Sequence, residues 1–113
     1  MKIIIQSVSL DGLKQMAAGL FGNLVKAVVD IDREIIAVDA ELHSDLEALL
    51  LEDGSKQQSL WGINFYPEVP GNDFVEFDSM INMRPSQGNL SRGVDDEKIR
   101  KKILSVILKR VKR

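Results

Sequence analysis

Apolar residues along the chain switch between strand-like and helix-like spacing, and the switches predict an alternation of short strands and helices. Residues 2–7 carry three adjacent isoleucines, a β-branched run that favours extended backbone. Ser9 then offers a capping oxygen to a helix predicted over residues 10–21, with Leu13, Ala17, Leu20 and Phe21 on one face and Gly22-Asn23 as the stop. Residues 24–30 and 34–38 read as strands joined so tightly through Ile31, Asp32 and Arg33 that a hairpin is the simplest connection. Within ELHSDLEALLLEDGS, Leu42, Leu46, Leu49 and Leu50 return to helical spacing, and Asp53-Gly54 closes that helix.

Period two resumes at Trp61. Trp61, Ile63 and Phe65 alternate with Gly62, Asn64 and Tyr66. Beyond the turn PEVPGND, a matching strand sets Val75, Phe77, Ile81 and Met83 out of phase with Glu76, Asp78, Asn82 and Arg84, predicting a second hairpin with one apolar and one polar face. RPSQGNLSRG is too rich in Pro, Ser, Gly and Asn for regular structure, and loops held by a rigid scaffold are where sites are usually built. Asp95, Asp96 and Glu97 introduce a last helix that ends in cations, as the helix dipole favours, with Ile99, Ile103, Val106 and Ile107 as its buried stripe. The predicted order is β-α-β-β-α-β-β-α. Hairpins outnumber crossovers, so the expectation is an α+β fold, a mostly antiparallel sheet of about five strands packed against helices. The 113 residues suit a single α+β domain spanning 1–113.

Composition narrows the chemistry. Cysteine is absent, which removes disulfides, thiolate catalysis and cysteine-ligated metal centres and fits a reducing compartment. No apolar run reaches the length of a membrane span and the MKIIIQS start lacks a signal-peptide core, so no membrane and a cytoplasmic location are expected. The net charge of -2 conceals a separation: nine carboxylates stand against one arginine between Asp30 and Asp53, and eight lysines and arginines fall in the last sixteen residues.

The segments ELHSD, LLLEDGS, LWGINFYP and INMRPSQGN, with the basic closing helix, resemble a small family of uncharacterised bacterial and archaeal proteins grouped only as a domain of unknown function. The resemblance runs from about Leu24 to Ile107. It implies no catalytic residue and no activity. It does imply a glycine-rich lead into the second helix, where this chain has Val38-Asp39-Ala40.

Candidate sites therefore rest on the residues themselves. His43 and Glu47 lie four apart on one helical side, the spacing of an acid/base pair or of two metal ligands, with Asp30, Asp32 or Asp45 needed to complete a metal site. With no HExxH motif and no second histidine, neither a metal site nor a cofactor is assigned. A sharper patch is the polar face of the last hairpin with its loop: Asn64, Tyr66, Glu76, Asp78, Asn82, Arg84, Ser86, Gln87 and Asn89, where an arginine fork and neighbouring amides suit a planar anion or polar ligand. Trp61 shares the phase of Ile63 and Phe65 and is expected in the core. The basic helix has no accompanying nucleic-acid motif, so nucleic acid is disfavoured, and its charge suits self-association against the acidic segment of a second copy. The leading expectation is a non-catalytic module that binds a protein partner or small polar ligand. The alternative is a small hydrolase or transferase using His43 and a nearby carboxylate, with or without a divalent ion.

Overall fold

The computed structural model describes residues 1–113. Its elements are β1 (Lys2–Ile4), β2 (Val8–Ser9), α1 (Leu10–Gly19), β3 (Val25–Asp30), β4 (Ile35–Val38), α2 (His43–Glu52), β5 (Leu60–Phe65), β6 (Val75–Glu76), α3 (Glu97–Arg110) and β7 (Val111–Lys112). Five strands form one antiparallel sheet in the order β1-β4-β3-β5-β6, and β2 and β7 make a separate two-residue parallel pair. The fold is α+β with a mostly antiparallel sheet and three helices, as the hydrophobic pattern predicts.

Strand alternation builds two cores, because successive side chains leave a strand on opposite faces. On one face Val25, Ala27 and Val29 of β3, Ile36 and Val38 of β4, and Trp61, Ile63 and Phe65 of β5 meet Leu13 and Ala17 of α1 and Ile103, Val106 and Ile107 of α3. On the other, Val28, Ile35, Ala37 and Leu60 pack against Leu46 and Leu50 of α2. Central strands buried on both faces need nearly continuous apolar sequence, which VKAVVD and IIAV supply.

The β3–β4 hairpin is locked at its tip. Asp30 Oδ1 accepts from the backbone N–H groups of Asp32 and Arg33, each at 2.9 Å, and Glu34 takes a left-handed φ of 57°. Arg33 then reaches Asp53 at 2.8 Å and Ser55 at 2.7 Å, past the end of α2. From the opposite layer Lys109 pairs with the Glu34 carboxylate at 2.8 Å, and Arg110 Nε donates to the Glu34 carbonyl at the same distance. The acidic and basic segments thus already meet within one chain. At Val38-Asp39-Ala40 the backbone keeps the conformation glycine favours, since Asp39 has φ 73°.

Three expectations are corrected. α1 ends at Gly19, and Gly22, at φ 92°, donates back to Ala17, which leaves Leu20 and Phe21 partly exposed instead of buried. Leu42 is the N-cap of α2 and lies in solvent, while His43 takes the inward position. The strand expected to continue through residue 84 stops at Glu76. Ser79 caps a 3₁₀ turn, Met80–Asn82, that lies over the sheet face beside α2, so the phase inverts: Asn82 is 0% exposed and Met83 is 46% exposed.

Candidate functional site

The polar residues predicted on the last hairpin separate into two groups. Residues 77–95 leave β6, cross the open edge of β5 as an irregular strap and return to start α3. Gly62 permits this crossing: a Cβ placed there would lie 2.5 Å from Ser79 Cβ and 2.6 Å from its Oγ. Where β6 has ended, side chains from the strap take over its hydrogen-bonding role. Asn82 Oδ1 accepts from Gly62 N–H at 2.8 Å, and Asn82 Nδ2 donates to Gly62 C=O at 2.9 Å and to Arg92 C=O at 2.9 Å. A primary amide carries one acceptor and two donors in the geometry of a peptide, so it substitutes for a neighbouring strand.

Arg84 continues the same edge. It donates to the carbonyls of Ile81 and Gln57 at 2.9 Å each and to that of Leu60, and its guanidinium lies 4.8 Å from the Trp61 ring centroid. Burial pulls Arg84 below its ordinary pKa, and the Glu47 carboxylate, 3.8 Å from Nη2, works in the opposite direction. Asn89 ties the strap to itself, donating to the carbonyls of Asn82, Ser91 and Gly93 and accepting from Asp95 N–H. Gln87 bridges Arg84 and the Gln58 carbonyl, and Ser86 is exposed. Asn82, Arg84 and Asn89 are buried, and their polar atoms are occupied by the protein's own groups, chiefly backbone.

The second group lies at the other end of β5. Glu76 Oε1 accepts from Asn64 Nδ2 at 2.8 Å and from Tyr66 OH at 2.9 Å. Burial first, then the Glu76 hydrogen bond, raises the Tyr66 phenol above its usual value. Asp78 pairs with Arg92 at 2.7 Å. Asn64 is buried with its Oδ1 unpartnered. His43, the first residue of α2, is also buried, and its Nε2 donates to the Ile63 carbonyl at 2.7 Å. That bond requires the proton on Nε2, since a carbonyl only accepts. Burial is the largest cause pulling the imidazole below 6.5, and among neighbouring charges Lys26 and Arg92 disfavour its protonation while Asp78 favours it.

His43 and Glu47, paired by sequence spacing, diverge in space. His43 faces the β5 backbone and Glu47 faces Arg84, with no hydrogen bond between them. Neither His43 nor Arg84 lines the cavity beside α3 or the one at the start of α1. Nowhere do three His, Asp or Glu side chains come together in a set suited to one ion.

The surface feature that sequence reasoning missed is apolar. Between α3 and the β6 edge runs a groove of about 390 Å³, lined by Phe74, Val75, Phe77, Leu104, Ile107, Leu108 and Val111, with Gly71 and Asn72 at one wall and Arg113 at its mouth. Leu108 is 81% exposed and Leu104 45%. Arg113 lies over the Phe74 ring, 4.4 Å from its centroid. The signal was present in the helix: Ile103, Val106 and Ile107 already complete a buried stripe, leaving Leu104 and Leu108, four apart, as a second apolar pair with no core to enter. A second polar hollow lies at the start of α1, lined by Lys2, Ser7, Ser9 and Asp39 among others.

A family model described as a protein of unknown function (DUF5674) matches residues 2–110, and the chain belongs to that family. No curated protein and no solved structure gives a significant match.

Proposed function

We propose that this DUF5674 member is a non-catalytic protein-binding module whose docking surface is the groove between α3 and β6. The observation that carries the reading is the exposed leucine pair of α3 above an apolar trough, with Leu108 81% exposed. Leaving such a side chain in water forgoes roughly 1.5–3 kcal/mol of burial, and grooved apolar patches rimmed by charge mark interaction surfaces. Arg113 is the charged residue lining the groove, and Lys101, paired with Glu97, lies on the same helical stripe as Leu104 and Leu108. The fitting partner is an amphipathic helical segment with leucine-like anchors flanked by carboxylates, the helix-in-groove mode of recognition.

This reading places binding on α3 rather than on the strap, because Asn82, Arg84 and Asn89 would have to release backbone groups before contacting a ligand. The hydrolase or transferase alternative finds less support. A general base must reach a substrate proton, whereas His43 is buried and its one hydrogen bond runs to a strand carbonyl.

The test is chemical-shift mapping with a synthetic helical peptide carrying leucines at i, i+3, i+4 and i+7 and glutamates elsewhere. The expected result is perturbation centred on Phe77, Leu104 and Leu108, weakened about tenfold or more by Leu108→Glu and in an analogue with lysines in place of glutamates. Absence of shifts, or shifts confined to other surfaces, would overturn it.

A further inference from the structure

Resting on that reading of the groove, we infer that its occupant is the outer face of α2 from a second copy of this chain, giving a head-to-tail assembly. α2 and α3 cover opposite faces of the sheet. Their outer surfaces carry opposite net charge, and each exposes a leucine anchor. On α2, Ser44, Asp45, Ala48, Leu51 and Glu52 face solvent, and Leu42 is exposed at its start. Glu41, Asp45 and Glu52 have no cationic partner within the chain, whereas Asp53 is paired with Arg33.

On the α3 side, Arg113 at the groove has no carboxylate partner and Lys101 has only a largely exposed contact with Glu97 at 3.8 Å, while Lys98, Lys102 and Lys112, outside the groove lining, add unpaired positive charge. Unpaired Asp45 and Glu52 flank exposed Leu51 on one side of the molecule, and Lys101 and Arg113 flank exposed Leu104 and Leu108 on the other, so the chain is complementary to itself. Complementary potentials fix register and suppress the wrong pairing. The two-fold alternative, groove against groove, brings Lys101 and Arg113 against their own copies and is disfavoured by like charge. Contact between two different patches is heterologous: it closes into a ring if the rotation allows and otherwise extends.

The decisive experiment uses two surface variants of the full chain in sedimentation velocity. Leu108→Glu disables the groove and leaves α2 intact; Leu51→Lys disables α2 and leaves the groove intact. Both positions are exposed, so unchanged circular dichroism and thermal midpoint are expected, and Lys101→Glu serves as a second groove variant if Leu108→Glu fails to fold. Wild-type protein is expected to sediment above monomer and to dissociate as salt is raised. Each variant alone is expected to be monomeric, and an equimolar mixture to form a dimer that grows no further, because only one of its two interface types survives. A wild-type chain that stays monomeric, variants that assemble like wild type, or monomeric variants that fail to pair on mixing would each overturn the inference. If wild type is monomeric while the leucine–glutamate peptide still perturbs the groove, the protein-binding reading stands with a different partner.

Discussion

An imidazole that donates to a strand carbonyl from inside the fold is stabilising as a neutral group, and His43 shows what that implies. Its pKa is lowered chiefly by burial, so on acidification the unfolded chain takes up the proton first. The contribution is complete above the ordinary histidine value of 6.5 and is lost as pH falls below it toward the folded value. Urea denaturation at about pH 7.5 and about 5.5 should therefore show a larger loss for wild type than for His43→Gln, which cannot titrate in this range. Equal losses would mean that the ring is solvated in the folded state. Asn82 carries the other residue-scale prediction. Asn82→Ala leaves the Gly62 N–H and C=O unpartnered in a buried place, and a loss of at least about 2 kcal/mol in urea unfolding is expected, since each orphaned group costs about 1–3 kcal/mol. A near-neutral result would mean that water replaces the amide.

At the scale of elements, the strap is what turns a short β6 into a finished sheet edge. An edge strand presents unpaired backbone groups, which invite another chain to add. Here Asn82 and Arg84 satisfy that edge with side chains, while the strap passes over Gly62 too closely for any Cβ. Gly62→Ala drives the new methyl into Ser79 and should cost about 1–3 kcal/mol by overpacking, read as a lower urea midpoint with an unchanged slope. α3 behaves differently. Its inward stripe of Ile103, Val106 and Ile107 holds the fold, and its adjacent Leu104 and Leu108 add nothing to the core, so the helix serves two surfaces at once.

Across the whole molecule, protection should follow coverage. β3 is paired on both edges and covered on both faces, so the amides of Val28 and Val29 are expected to exchange slowest, near the global unfolding rate. Ser86 and Gln87 lie on an exposed turn of the strap and should exchange earlier, through a local opening that leaves the sheet intact. A common rate for both sets would show that the strap and the sheet unfold as one unit. The same sandwich sets the surface: with α2 on one face and α3 on the other, the acidic and basic segments look outward in opposite directions, joined within the chain only where Lys109 and Arg110 reach Glu34.

Much of this architecture was legible in the chain alone. Strands β3, β4 and β5, the three helices, the hairpin at Asp30 and the core placement of Trp61 all follow from local periodicity, because a buried face must repeat at the period of its element. The sequence also carried the charge separation and the match to its family over residues 2–110. Tertiary structure alone decided where β6 would stop. Residues 77–84 alternate as a strand should, yet the bare Gly62 lets Ser79 fold over the sheet and puts Asn82 inward, a long-range contact that no local pattern records. It decided also that His43 and Glu47, neighbours on a helix, serve different partners, and that Leu104 and Leu108 stand beside β6 as a groove. Periodicity states which side chains share a face, but only the packing of elements distant in the chain determines whether that face meets a core, a backbone carbonyl or solvent.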